Sequence, residues 1–425
     1  QKLYFKDFIQ KNDKDATLSM LEMMQEAKKL KNPEIIIEKG IYHFYPQKAF
    51  ETYCFITNHD DGLRSTPFPI IGFNNLTIKA DNAQFIFHGL MVPFIIRDSK
   101  NIHLSGFSIN WEIPLNSEMK VVDINEDAHT FDIEVNSPYE IRNGELIFLK
   151  EGFEHNLERS ICWDPKTMAV AYNTSEVTTL TVSGKESVKR FEEKLHSIYQ
   201  PDPQLPPQRF QGKQLSLIAK ELEPGVIRIF GHDKKLPKPG WIIVAKGENS
   251  LNRLAPAIYV KRCSDIVVTD VTVHHAGGMG FVCERTENVT LERFNVALKE
   301  GSGRMLTTTA DATHFNNCRG QVELKNCLLE NMLDDGTNVH GTYGRVADVL
   351  GSNKIGIRLG HFQQFGFDIA APGDQCGFIK EDVRFTPFIV SKVSKIEKVN
   401  KRYYIIEFEN ELKNVAVGDL LENLD

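Results

Sequence analysis

The chain predicts an all-β fold: a parallel β-helix that carries inserted small antiparallel barrels and is capped at its start by a helix. Three observations predict it. Short β-rich phrases return at offsets of 23 to 26 residues, as expected of coils that bury their apolar faces only by stacking on one another. Two stretches break that spacing with hairpin phrases and a downstream glycine, the pattern of small barrels. One segment near the start has helical periodicity instead.

The elements follow in order. Asp15 to Lys31 reads as a helix, with Leu18, Leu21, Met24, Ala27 and Leu30 recurring every three residues, lysines at its end and Asn32-Pro33 as the stop. Ile35-Ile36-Ile37 reads as a strand and Gly40-Ile41-Tyr42 as a turn, and this unit caps the open end of the solenoid. Coils begin near residue 70. Asn75-Leu76-Thr77-Ile78 is echoed by Asn101-Ile102-His103-Leu104, and Asp265-Ile266-Val267-Val268 by Asn288-Val289-Thr290-Leu291. Gln321-Val322-Glu323-Leu324 and then Arg345-Val346 continue the series.

The barrel phrases are Lys120-Val121-Val122-Asp123 with Thr130-Phe131-Asp132-Ile133, Ser216-Leu217-Ile218 with Val226-Ile227-Arg228-Ile229, and Val393-Ser394-Lys395-Ile396 with Tyr404-Ile405-Ile406-Glu407. Four prolines between Pro201 and Pro207 mark a linker or loop. The division is therefore 1–118 for the cap and first coils, 119–252 for a barrel-like insertion, 253–381 for further coils, and 382–425 for a second barrel-like insertion that is cut short.

Composition sets bounds. Hydrophobic residues make up 41% and charged residues 25% of the 425 residues, ordinary for a globular protein. A net charge of −7 opposes a nucleic-acid partner, which needs a basic face. No apolar run reaches the roughly 18 residues of a membrane span. The seven cysteines form no CxxC pair, so they read as small buried hydrophobes rather than zinc ligands.

The chemistry gathers at three carboxylates. Thr309-Ala310-Asp311-Ala312-Thr313-His314 and Leu333-Asp334-Asp335-Gly336-Thr337-Asn338 read as one phrase written twice, with Asp335 falling 24 residues after Asp311. Stacked coils would set that pair side by side, roughly 4.8 Å apart. Clustered carboxylates repel when ionised, which suits an acid/base site better than a core. Adjacent strand residues face opposite ways, so Asp334 and Asp335 share a cleft only if the chain bends, and Gly336 is placed to permit it. Asp-Asp-Gly alone is ordinary turn chemistry; the aligned Asp311 is what makes it a site. Glycoside hydrolysis needs one carboxyl to protonate the leaving oxygen and one carboxylate to activate water or attack. Asp311 and Asp335 are read as holding the water, and Asp334 as the acid.

Glu284, Arg304, His314, Asn338 and His340 are the candidate substrate contacts. His314 and His340 follow their aspartates closely, Arg304 precedes Asp311 on the same coil, and Glu284 falls near the equivalent place one coil earlier. No cofactor or metal is expected; His274-His275 has no convincing ligand partners. His59-Asp60-Asp61-Gly62, an acidic pair without an aligned partner, reads as a loop.

Taken together, the Asp311 coil, the run Met332-Leu333-Asp334-Asp335-Gly336-Thr337-Asn338-Val339-His340-Gly341, the cap and the two interruptions resemble glycoside hydrolase family 110 from Tyr42 to the end. The resemblance implies a right-handed, pectin-lyase-like β-helix. It also implies an exo-acting, inverting α-1,3-galactosidase, with Asp334 as general acid and Asp311 and Asp335 as the water-activating pair. The expected partner is a galactose-terminated oligosaccharide or glycoconjugate, such as the blood group B determinant or linear Galα1-3Gal. The expected location is secreted or periplasmic, with a signal segment removed ahead of Gln1. The motif is also similar to the polygalacturonase family, although Val339-His340-Gly341 lacks the first glycine of that family's Gly-His-Gly and no Arg-Ile-Lys follows. A polygalacturonase-like hydrolase and a glycan-binding β-helix without turnover stay open as alternatives. The oligomeric state is open, a dimer among the options.

Overall fold

In the computed structural model, which describes residues 1–9, 14–59, 61–157, 160–177, 217–247, 253–380 and 386–425, two parallel sheets wind into a β-helix. One runs in the order Lys2–Tyr4, Glu34–Ile37, Asn74–Phe87, Lys100–Trp111, Ser264–Val273, Glu287–Val296 and Arg319–Lys325. The other runs Phe68–Ile71, Phe94–Arg97, Ile258–Lys261, Phe281–Glu284, Thr313–Asn316 and Thr337–His340. The echoed phrases are true rungs: Leu76 pairs with Ile102, Ile102 with Ile266, and Ile266 with Val289. These side chains form one apolar column with at most 1% exposure each. Burying such a side chain contributes about 1.5–3 kcal/mol, so the column rewards this register over a slipped one.

The polar residue heading each phrase has a backbone role. Asn75, Asn101, Asp265 and Asn288 all take φ between 52° and 59°, a left-handed corner that Asn and Asp tolerate better than other side chains. They also bond along the column, Asn101 Nδ2 donating to Asn75 Oδ1 (2.7 Å) and Asn288 Nδ2 to Asp265 Oδ1 (3.0 Å).

The cap helix spans Thr17–Lys28, but its buried face is Met20, Met23, Met24 and Ala27, while Leu18 is exposed. A strict spacing of three lags the 3.6-residue turn and drifts around the helix; the i, i+3, i+4, i+7 set is the one that faces the core. With Phe5 it closes the end of the main core.

The first insertion is a seven-stranded antiparallel sheet from Ser117–Asn125 to Ile242–Ala245, plus a three-stranded sheet over Tyr139–His155. Both share one core around Val121, Ile133, Phe148 and Ile229. The Pro201–Pro207 segment lies outside the described residues.

The second barrel differs from expectation in its start. The ring Tyr343–Gly351, Lys354–Leu359, Tyr403–Phe408, Ile389–Lys398, Gln375–Ile379 and Leu420–Asn423 closes on itself. Its first strand therefore begins at Tyr343, not near 382. Arg345-Val346 belongs to this barrel, where Arg345 pairs antiparallel with Leu420. Its alternation of polar and apolar residues is the same in a coil and in a barrel strand, and only the distant partner separates the two. All seven cysteines are free thiols, five of them buried.

Candidate active site

Asp311 and Asp335 stand on neighbouring rungs. Thr313 pairs with Thr337, the Ala312 N–H donates to the Asp335 carbonyl (2.9 Å), and the Thr313 N–H to the Gly336 carbonyl (3.1 Å). The register read from the sequence is the one the backbone adopts. Gly336, however, is not in the left-handed region, so the bend does not depend on it. Asn331, at φ 60°, turns the chain instead. Leu333 then packs beside Leu306 against Trp163, Ile242 and Val244 of the first barrel, and this anchor sets the direction of the doublet that follows.

The three carboxylates differ in surroundings. Asp311 is buried, 3% exposed, with Oδ2 lying 2.8 Å from His314 Nδ1. Asp335 is exposed and accepts from Asn338 Nδ2 (3.0 Å). Asp334, also exposed, is ion-paired with Arg253 (2.9 Å). The Arg253 guanidinium also donates to the Asn58 carbonyl (3.3 Å). The Asn58 side-chain amide lies 3.1 Å from His314 Nε2. A continuous polar network thus runs from Asp311 through His314, Asn58 and Arg253 to Asp334. His340 joins it, its Nε2 lying 2.9 Å from His314 Nε2.

Residues 55–59, leading out of the strand Phe50–Cys54, stitch this network together. Thr57 N–H donates to Glu284, and Asn316 Nδ2 donates to Thr57 Oγ1 (2.8 Å). His59 Nε2 accepts from the Met279 N–H (3.3 Å) while its Nδ1 lies 3.0 Å from the Thr57 carbonyl. Burial pushes the His59 pKa down to about 3, so the ring is neutral. Gly278 makes room for it, because a Cβ there would meet His59 Nε2 at 2.5 Å. The expected loop at His59 to Gly62 therefore begins inside the site; Asp60 lies outside the described residues, and Asp61 pairs with Tyr53 and Lys401.

Two expected contacts do not join the site. Phe281 pairs with Thr313, so the residue one coil before Asp311 in its column is Met279 and not Glu284. Glu284 is fully buried in the column of Asn316 and His340, bound to Lys261 (3.2 Å) and the Tyr259 hydroxyl (3.3 Å). Lys261 in turn holds Asp368 (3.4 Å), and the group locks the coils to the second barrel. Arg304 donates to Asn110 Oδ1 (2.7 Å) and the Trp111 carbonyl (2.9 Å), where burial lowers its pKa while Glu118 opposes. It joins two coils and touches none of the three aspartates. Arg253 and Asn58 were missed by sequence reasoning because neither lies on a repeat, where a periodic signal could mark it.

A parallel β-helix that presents an Asp beside an Asp-Asp doublet and carries two small barrels defines the class: a barrel-decorated solenoid with an acidic cluster on its coils. Residues 117–243 match the GLAA-B beta-barrel domain I family and residues 354–421 the GLAA-B beta-barrel domain II family. Alpha-1,3-galactosidase A of Shewanella woodyi is 32% identical over 96% of this chain and 62% of its own length. Alpha-1,3-galactosidases B of Parabacteroides distasonis and Akkermansia muciniphila are 31% and 29% identical, each over 92% of this chain and over 60% and 44% of their own lengths. The chain spans less than two thirds of the length of these curated relatives. These matches accord with the resemblance to glycoside hydrolase family 110 read from the sequence.

Proposed function

We propose that the protein is an exo-acting, inverting glycoside hydrolase that removes terminal α-1,3-linked galactose. The observation that carries this reading is the register that sets Asp311 beside Asp335, with Asp334 adjoining. Its relatives bear the name alpha-1,3-galactosidase, which supplies the linkage. Water held between Asp311 and Asp335 attacks the anomeric carbon and gives its proton to one of those carboxylates. Asp334 protonates the glycosidic oxygen as the carbon–oxygen bond breaks. Asp334 is ion-paired with Arg253. The acid role requires Arg253 to move to substrate hydroxyls and release Asp334 to take up a proton. Blood group B and linear Galα1-3Gal are the proposed glycans, met outside the cytoplasm by a secreted or periplasmic protein.

The test is galactose release from Galα1-3Gal, followed by NMR of the first-formed anomer. β-Galactose appearing first supports the reading, and α-galactose first excludes inversion. No release from any α-1,3-linked galactoside by the intact protein removes it altogether.

A further inference from the structure

Around Asp311 the hydrogen-bond contacts outnumber what ordinary protonation states can serve. His340 Nδ1 lies 2.9 Å from the Gly341 carbonyl oxygen, so that nitrogen carries a proton. His314 Nδ1 is committed to Asp311 Oδ2 at 2.8 Å. The two remaining nitrogens, both Nε2, face each other at 2.9 Å, with the rings 4.8 Å apart and inclined at 76°. A neutral imidazole has one N–H. With Asp311 ionised and both histidines neutral, both protons sit on Nδ1 and two lone pairs collide at Nε2. One more proton resolves the clash. It can sit on His314 Nε2, making that ring an imidazolium, or on His340 Nε2 with the same effect. Alternatively Asp311 is protonated and His314 carries its single proton on Nε2. In each case the three side chains sum to zero charge.

We propose that Asp311, His314 and His340 hold one proton in common, and that the two histidines are positioning residues which fix Asp311 through Oδ2 and leave its other oxygen to the attacking water. The role of the water rests on the hydrolase reading above; the shared proton rests on hydrogen-bond geometry alone.

The groups facing the pair fit this count. Asn58 offers its amide nitrogen to a bare His314 Nε2, or its oxygen to a protonated one. His59, on the same loop, is neutral. Arg253 is paired with Asp334, Asp335 accepts from Asn338, and Glu284 in the His340 column is paired with Lys261. Burial lowers the His340 pKa, with the Gly341 bond and Asp311 opposing and His314 adding to the effect, which keeps the proton toward Asp311.

The proposal is tested on the substrate-free chain by ¹⁵N-histidine NMR between about pH 5 and 9, the range in which imidazole titrates. The expected result is a linked titration of His314 and His340, with one proton retained at neutral pH. His340→Gln is the informative variant. Its amide can still donate to His314 Nε2, which keeps the bond but removes the need for the extra proton. Any imidazolium signal of His314 should then vanish while the unfolding temperature holds. On Galα1-3Gal, His340→Gln should lose about tenfold in kcat at unchanged KM, less than the roughly 10²–10⁴-fold of a group that transfers the proton itself, and one limb of its pH–rate profile should move. Two neutral histidines with independent titrations would overturn the proposal, as would a pH–rate profile superimposable on that of the wild type. The titration needs no substrate. A linked pair without galactose release therefore sinks only the function, and release with unlinked histidines sinks only the relay.

Discussion

Among the described residues, two chains of carboxylate, histidine and histidine stand out, one in the first coils and one in the last. In the first, Glu151 Oε1 lies 2.7 Å from His88 Nδ1, and His88 Nε2 lies 2.9 Å from His43 Nδ1. In the second, Asp311 contacts His314 Nδ1, and His314 Nε2 meets His340 Nε2. The distances are nearly equal and one nitrogen differs. His43 presents Nδ1, which donates its proton to His88 Nε2, so a glutamate and two neutral rings satisfy every contact. His340 has spent Nδ1 on the Gly341 carbonyl and must present Nε2, so its chain needs a further proton. Surroundings differ as well. His88 lies flat on Tyr45, ring centroids 3.9 Å apart, which packs the ring in place. The Asp311 chain sits under residues 55–59 and opens toward the Asp334-Asp335 doublet. The lesson is that a histidine pair stores a proton or merely bridges according to which nitrogen its neighbours claim.

The sharpest way to break this comparison is to neutralise each carboxylate. Asp311→Asn should lower kcat for galactoside hydrolysis by about 10²–10⁴-fold, the range of a lost proton-transfer group, with little change in unfolding temperature. Retained activity would make the two chains equivalent and remove Asp311 from the chemistry. Next in size is Glu284→Gln, which leaves Lys261 buried with Asp368 as its remaining anionic partner. Breaking a buried ion pair costs about 3 kcal/mol, so denaturant unfolding should show a loss of that order. KM should stay put, because Glu284 holds the scaffold behind the Asp311 chain rather than the glycan. A raised KM at unchanged stability would restore it as a substrate contact.

Acid should separate the two ends further. His59 titrates near 6.5 when unfolded and at about 3 in the folded chain. The unfolded state therefore binds more protons below pH 6.5, and stability falls as pH drops from there toward 3. The slope is up to about 1.4 kcal/mol per pH unit for this one group. Hydrogen-exchange protection of residues 57–59 and Met279 should weaken between pH 7 and 5 more than protection around His43 and His88. Equal loss at both ends would mean that His59 is not the acid-sensitive element.

Much of this was legible from the chain, and the reasons are physical. The coil period shows because each rung repeats an apolar column behind an Asn or Asp that accepts a left-handed corner, as at Asn75, Asn101, Asp265 and Asn288. The Asp311–Asp335 register shows because both carboxylates sit at the same phase of one short coil. Glu284 was misplaced because the coil from Phe281 to Thr313 is 32 residues long, so counting back by the short period lands in the wrong column. The second barrel was entered too late because its first strand alternates like a coil strand and finds its partner at Leu420. Arg253 and Asn58 left no trace, since a residue that reaches the site from outside the repeat has no period to betray it.

The smallest effect belongs to the first chain. Glu151 is partly exposed and His88 is held by Tyr45 on one side, so removing the carboxylate leaves the ring packed. Glu151→Gln keeps an amide oxygen able to accept from His88 Nδ1, and the loss reduces to the ionic part of a solvent-accessible pair, about 0–1 kcal/mol. Burial lowers the His43 pKa, and His88 adds to that, while Glu112 and Glu151 oppose. Taking away Glu151 removes one opposing charge and should carry the His43 pKa lower still. Histidine NMR on Glu151→Gln should accordingly show His43 protonating at a lower pH than in the wild type, with kcat and KM for the galactoside unchanged. A fall in kcat comparable to that of Asp311→Asn would show that the first chain, too, takes part in the reaction, and the distinction drawn from one nitrogen would fail.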